Sequence, residues 1–190
     1  MNIIKLDAID STNSYLKKII LEKDISDYTI VTANFQTEGK GQLGYMWESE
    51  DSKNLLCSIY KKDLGIKVED QFVLSMLVSL SIIRTLEKLN LPKLYIKWPN
   101  DIMSDNKKIC GILVENMVKQ NSIKESVIGI GLNVNQDTFK NLPNATSIKK
   151  IKGVAFNIDE LLNDLANNIK KQFIDFNQSK IDLIFRQYED

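Results

Sequence analysis

The sequence predicts an α+β domain in which a largely antiparallel mixed sheet packs against helices. Two patterns predict it. Residues 93–98, 109–118 and 124–133 form strand-length apolar runs, and the polar link 119–123 joins the last two as an antiparallel hairpin. Two longer stretches, residues 70–89 and the segment opened by Asp159, carry apolar residues at helical spacing instead. A length of 190 residues with 43% hydrophobic and 26% charged side chains fits one folded domain and excludes a disordered or fibrous chain.

Taken in order, residues 3–9 read as a strand. Asp10 or Ser11 can then cap a helix running to about Glu22, with Tyr15, Leu16, Ile19 and Ile20 as its apolar stripe. Residues 29–36 form the next strand. Residues 37–53, broken by glycines and small polar residues, form a long loop leading into a strand at 54–60. The helix over 70–89 is apolar on most sides through Val73, Met76, Leu77, Leu80, Ile83 and Leu86, which predicts a buried central helix. After the three later strands, Asp159 caps a helix carrying Leu161, Leu162, Leu165, Ile169 and Phe173, and a short helix to Asp190 closes the chain. No repeat or low-complexity linker divides it, so residues 1–190 read as one domain, with about 157–190 as its C-terminal helical segment.

Lys+Arg and Asp+Glu number 25 each and the lysines are scattered, so no nucleic-acid surface is expected. The longest apolar stretch, residues 72–83, has 12 residues and three serines, short of the ~20 needed to span a bilayer. The opening residues lack a signal-peptide core, and cytoplasmic residence with no membrane partner is the expectation. The absence of histidine excludes histidine triads and histidine metal sites. Cys57 and Cys110 lie far apart without CxxC spacing and read as free, partly buried thiols, so no protein metal site is expected.

Three segments do not read as core. Side chains alternate across a strand, so Ile128, Ile130, Leu132 and Val134 share one face while Val127, Gly129, Gly131, Asn133 and Asn135 share the other. Two alternating glycines on one face are best explained by something flat or bulky against the backbone, with an ordinary solvent face as the alternative. In residues 29–36, Val31, Ala33 and Phe35 are expected to face the core, and Thr32, Asn34 and Gln36 to offer a polar, uncrowded face. The loop between them reads Gly39-Lys40-Gly41-Gln42-Leu43-Gly44, a GxGxxG match. No helix opens at its third glycine and no acidic residue follows about 20 positions on at a strand end, so a Rossmann site is not expected. The loop can still curl backbone N–H groups around an anion beside Lys40, the alternative being a plain flexible turn. Finally, Pro99 ends a strand and presents Asn100 and Asp101 at its mouth, with Lys108 close behind. These are turn residues on one reading and, on the other, a carboxylate and a cation in a phosphate-compatible pocket.

Jointly, these segments resemble the biotin–protein ligases, also called biotin–[acetyl-CoA-carboxylase] ligases, along nearly the whole chain. Asp10-Ser11-Thr12-Asn13 is similar to the family's DSTN segment, and residues 36–49 to its glycine-rich loop ending in WxS. Lys97-Trp98-Pro99-Asn100-Asp101 matches KWPND, Lys108 through Glu115 matches K-x-x-GIL-x-E, and Gly129-Ile130-Gly131-Leu132-Asn133 matches GIGxN. The resemblance implies the biotin and lipoate ligase catalytic fold, which is like that of class II aminoacyl-tRNA synthetases. It implies two steps. Biotin is first joined to the α-phosphate of ATP, with Mg2+ carried by the nucleotide, giving bound biotinyl-5′-AMP and pyrophosphate. A lysine of a biotin-carrier domain then attacks the adenylate, releasing AMP. No enzyme nucleophile is needed, because positioning and electrostatic stabilisation carry such chemistry.

By the same resemblance, Ser11, Thr12, Asn13 and Gln36 would bind the biotin head group, and Gly111 and Ile112 would line its tunnel. Gly39, Lys40 and Gly41 would wrap the carboxylate and phosphates, and Trp47 would anchor the loop end. Lys108 would be the cation at carboxylate and α-phosphate, and Asp101 would orient or help deprotonate the incoming amine. Gly129, Gly131 and Asn133 would take the adenine and ribose side, with Gln42 and Asn100 completing the nucleotide set. A homodimer joined by sheet edges is common among members.

The chain departs from the family in two respects. Three positions that are arginine in many members read Lys40, Gln42 and Tyr45, which predicts faster leakage of the adenylate, since lysine is a point charge and glutamine only a neutral donor. The sequence also stops at Asp190, before the small C-terminal β-barrel of typical members, and has no winged helix before Met1, so a catalytic domain without repressor function is expected. Two alternatives stand beside this reading. A lipoate–protein ligase or octanoyltransferase would need a histidine segment that this chain lacks, leaving Cys110 as the only hint of an acyl-carrying thiol. A non-catalytic binder of biotin or adenylate is the second.

Overall fold

The computed structural model describes residues 1–140, 142–177 and 181–189. The chain opens with β1 (Asn2–Ile9), α1 (Thr12–Glu22) and β2 (Thr29–Gln36), a unit in which β1 and β2 pair in parallel. β3 (Leu55–Lys61), the short β4 (Ile66–Lys67) and α2 (Phe72–Glu87) follow. β5 (Leu94–Lys97), β6 (Asp101–Ser104), β7 (Lys107–Lys119) and β8 (Ser122–Leu132) are then joined in succession, every pairing antiparallel. α3 (Ile148–Lys152), α4 (Ile158–Asp175) and α5 (Ile181–Glu189) complete the described residues. The sheet order is β1-β2-β3-β8-β7-β6-β5, with β4 beside one end of β8, giving eight strands with a single parallel pair among the described residues. This is the mixed, largely antiparallel α+β architecture expected.

The two faces of the sheet bury different cores. Ile128, Ile130 and Leu132 of β8 meet Ile30, Cys57 and Ile59, and this side packs on Val73, Leu74, Met76 and Leu77 of α2 and on Leu162, Leu165 and Ile169 of α4. On the other side, Leu16 and Ile19 of α1 pack on Val31, Tyr60 and Val127. α1 therefore covers one end of its face and leaves the rest of that face free to form a cleft.

Several expectations change in detail. α4 is capped by Asn157, whose Oδ1 accepts from the N–H groups of Asp159 and Glu160; Asp159 sits in the first turn and pairs with Lys5 at 2.7 Å. Both residue types cap well, and a two-residue shift leaves the apolar stripe unchanged. β6 and α3 were not anticipated. β6 follows directly on Pro99-Asn100 and holds only four residues, while α3 is a single turn whose signal was Ser147 as N-cap and left-handed Gly153 as C-cap. The β7–β8 hairpin turns on Gln120 and Asn121, both at positive φ, as a two-residue turn of matching twist requires. The closing helix is described over Ile181–Glu189, and its expected last residue, Asp190, lies outside the described residues.

The two polar strand faces lie on opposite sides of the sheet. Register places Val31, Ser58 and Gly129 across from one another, and Thr32, Cys57 and Ile130 likewise. Thr32 and Asn34 thus alternate onto the large-core side, while Val31 and Ala33 share the glycine side. Phe35 is half-buried and belongs to neither core cluster. Gln36 still reaches the cleft, because it lies beyond the last rung of the β2–β3 ladder at Ala33.

Candidate active site

The cleft is built on the glycine shelf of β7 and β8. Gly111 and Gly131 are direct cross-strand partners, and the indole of Trp47 covers both. A Cβ on Gly131 would fall 2.4 Å from Trp47 Cε2, and one on Gly111 2.8 Å from Trp47 Cζ3. One step along β8, a Cβ on Gly129 would fall 2.4 Å from Asn13 Oδ1. The flat and bulky groups that these glycines admit are therefore the chain's own indole and amide.

α1 supplies the polar end. Ser11 is its N-cap, its hydroxyl accepting from the Ser14 N–H, so one of its acceptor sites is turned to the helix. Gln36 Oε1 accepts from Thr12 N at 2.8 Å and Thr12 Oγ1 at 3.0 Å, and Ser58 donates to Thr12 Oγ1 at 2.7 Å. Asn13 Nδ2 donates to Glu115 at 2.8 Å and Lys17 pairs with the other Glu115 oxygen at 2.6 Å. Burial alone would raise the Glu115 carboxyl, but these two donors and the charges of Lys17 and Lys40 outweigh it, holding the group below its ordinary value. Ser58, Lys17 and Glu115 were not expected in this network, although Glu115 ends the GIL-x-E segment.

The glycine loop closes the same end. Gly39 O accepts from Trp47 N and Tyr45 O accepts from Gly41 N, folding residues 39–47 into a narrow hairpin around the turn Gln42–Gly44. A Cβ on Gly39 would lie 2.4 Å from Trp47 O, so this approach requires glycine. Lys40 Nζ donates to Ser14 Oγ at 2.8 Å, tying the loop to α1, and Leu43 at its tip is 95% exposed.

Lys108 occupies the middle of the cleft. Its backbone is fixed to the segment 144–146, donating to Asn144 O at 2.7 Å and accepting from Thr146 N at 2.9 Å. Its ammonium pairs with Asp101 at 2.6 Å and lies 5.4 Å from the Trp47 ring centroid. Asn100 brackets the turn before Asp101 by donating to Ile112 O while its own carbonyl accepts from Ile112 N. Two chambers meet at this pair. The first, about 270 Å³, is lined by Ser11, Thr12, Asn13 and Gln36 at one end and by Lys40, Gly41, Gln42, Gly111, Ile112, Gly129 and Gly131 around it. The second, about 430 Å³, is lined by Lys97, Asn133, Phe139 and Leu142 among others. Trp47, Asp101 and Lys108 line both.

The structure thus brings the expected residues together but divides them differently. Gly129 and Gly131 line the first chamber, while Asn133, expected beside them, lines the second and has a buried Oδ1 without a hydrogen-bond partner among the described residues. Gly39 is buried behind the loop, outside the lining. Phe139 and residues 142–145 lie in a stretch with no periodic signal, so their part in the second chamber was missed. Cys57 and Cys110 are fully buried rather than partly so. Burial pushes the Cys57 thiol up to about 12 and Cys110 higher still, and Cys110 lines neither chamber, which counts against an acyl-carrying thiol there. Among the described residues no group of three or more His, Cys, Asp or Glu is placed to hold a metal ion, and no helix is long and apolar enough to cross a membrane.

A sheet with a cation at the seam of two chambers, a glycine loop over it and buried polar groups at the far end has room for two small molecules on either side of that cation. The chain belongs to the biotin/lipoate A/B protein ligase family, whose model matches residues 6–133. Among relatives, it is 28% identical over 182 residues to the bifunctional ligase/repressor BirA of Bacillus spizizenii, covering 92% of this chain and 54% of that protein. The chain spans about half the length of the first curated relatives it matches. Among solved structures, the biotin protein ligase of Aquifex aeolicus in complex with biotin and ATP superposes with a TM-score of 0.81 at 30% identity, covering 95% of this chain and 73% of that one. The ligase of Leishmania major in complex with biotinyl-5-AMP gives 0.80 at 25% identity, covering 99% and 80%.

Proposed function

We propose that this chain is the catalytic domain of an ATP-dependent biotin–protein ligase, spanning residues 1–190, that attaches biotin to a lysine of a biotin-carrier domain through biotinyl-5′-AMP. The observation that carries this reading is Lys108, whose ammonium lies where the two chambers meet and is held there by Asp101. Biotin would enter the first chamber with its ureido ring against Thr12, Asn13 and Gln36. Its carboxylate would then point toward Lys108, and the nucleotide would occupy the second chamber. Attack of a carboxylate oxygen on the α-phosphorus forms the mixed anhydride and expels pyrophosphate. Lys108, and Lys40 from the loop, would offset the charge that builds on the α-phosphoryl oxygens.

Asn133 supports the assignment of the second chamber to the nucleotide. A buried acceptor without a partner costs about 1–3 kcal/mol, which a donor from ribose or adenine would offset. In the second step the carrier lysine attacks the acyl carbon and AMP departs with the anhydride oxygen. A lysine amine has a pKa near ~10.4, so it needs a proton acceptor, and Asp101 at the mouth would orient and accept from it. Mg2+ belongs to this proposal as the counter-ion carried by the nucleotide phosphates, and no step is routed through it. Cytoplasmic residence, and a homodimer formed by pairing one of the sheet edges β1 or β5 with its copy, complete the reading.

Biotin-dependent ATP–pyrophosphate exchange tests it, with Lys108→Ala alongside and lipoate as control substrate. Exchange with biotin that falls about 10²–10³-fold in the variant supports the assignment. Exchange with lipoate instead moves the chain to the lipoate branch, and biotin binding without exchange makes it a binder.

A further inference from the structure

The turn that delivers Asp101 is held from two directions. On one side, Asn100 is clamped to β7 through the reciprocal pair with Ile112. On the other, the hydroxyl of Tyr188 in α5 donates to the carbonyl of Pro99 at 3.1 Å. The Tyr188 ring is fixed in turn, packing edge-on against Phe72 at the start of α2 with centroids 5.5 Å apart, and Phe72 leans on Trp98 at 6.1 Å. Phe72, Trp98 and Tyr188 thus form an aromatic buttress behind the segment Trp98-Pro99-Asn100, and Asp101 opens β6 one residue later.

We propose that Tyr188 is a positioning residue: from the C-terminal helix, its hydroxyl holds the Pro99 carbonyl and so sets the turn that presents Asp101 to Lys108 and to the incoming amine. The proposal rests on the ligase reading for its catalytic consequence and on geometry alone for its structural one. Burial and the nearby Asp101 charge push the phenol up to about 12, so it remains a protonated donor at neutral pH. A hydroxyl offered to a carbonyl one residue before Asn100 acts on the orientation of Asp101 without entering either chamber. Its effect should fall mainly on the step that uses Asp101 as acceptor, because in adenylation Lys108 is also held by the backbone of Asn144 and Thr146 and by the Trp47 ring.

Tyr188→Phe isolates the donor, because the ring and its contact with Phe72 remain. Transfer of biotin from preformed biotinyl-5′-AMP to a carrier domain should slow about fivefold, the loss expected for one hydrogen bond of about 1 kcal/mol. Biotin-dependent pyrophosphate exchange should change by less than about twofold. Equal loss in both steps, or no loss in either, would overturn the proposal. Amide hydrogen exchange gives an independent readout. The Ile112 N–H, which binds Asn100 O, should exchange faster in the variant relative to the Leu80 N–H in α2; an unchanged ratio would equally overturn it. If the wild type itself shows no pyrophosphate exchange, the ligase reading fails, while the Ile112 ratio still decides whether Tyr188 fixes the turn.

Discussion

The indole of Trp47 rests on Gly131, with Cε2, Cζ2 and Nε1 all within 2.8 Å of the place a Cβ would take. The contact joins the end of the glycine loop to the middle of the sheet. Replacing Gly131 with alanine must move the ring or the strand. Overpacking of this kind costs typically 1–3 kcal/mol. Gly131→Ala is expected to lower the free energy of unfolding in urea by that margin and to reduce biotin-dependent exchange. Paired denaturation and exchange measurements check both outcomes.

Gln42 lines the first chamber beside Lys40 and Gly41 and offers only a neutral amide where many biotin–protein ligases have arginine. An arginine there would add a charged fork facing the adenylate. Gln42→Arg is expected to slow release of biotinyl-5′-AMP by about tenfold, equivalent to about 1.4 kcal/mol of added interaction. Rapid dilution of the preformed adenylate complex measures it. Equal release rates in the two proteins would show that the loop charge does not set retention.

Glu115 links stability to pH. Its folded-state pKa lies below the unfolded value of 4.5, so the native state binds the proton less readily than the unfolded chain. Its contribution is then fully present above pH 4.5 and is lost as pH falls through the lowered native value. Glu115→Gln should be less stable than wild type at pH 7, with the gap closing as the pH falls below 4.5 and through the lowered native value. Thermal unfolding across that range tests this, and a gap independent of pH would exclude the linkage.

The glycine loop meets the body of the domain through few contacts. Its tip residues Leu43, Tyr45 and Met46 are exposed, and Lys40 is tied to Ser14 by one surface hydrogen bond. Residues 37–46 should be cut first in limited proteolysis, and biotin with ATP should protect them. Cleavage unaffected by ligands would count against closure of the loop over the first chamber.

Much of the architecture was legible because it rests on periodicity. The bounds of β2 and the stripe of α2 follow directly from alternating and helical spacing, and Ser11 marks the start of α1. The two alternating glycines of β8 correctly called for a flat neighbour, but a single strand does not say which segment will supply it. Trp47 could be placed on Gly131 only once β7 and β8 were in register. Asn144, Ala145 and Thr146 were opaque for another reason: they bridge to Lys108 through backbone atoms, and such bridges leave no residue pattern. The cap of α4 was displaced to Asn157 because Asn157 and Asp159 are chemically equivalent signals two positions apart.

The first chamber draws its walls from α1, the glycine loop, β3, β7 and β8, residues separated by more than a hundred positions in the chain. Nothing smaller than the assembled sheet can hold its occupant, so binding energy is returned to the whole fold. A ligand present at a hundred times its Kd adds about 2.7 kcal/mol to the free energy of unfolding. Filled and empty molecules would therefore differ in lifetime as well as in activity, and the amount of protein that survives degradation would track the supply of the small molecule it captures.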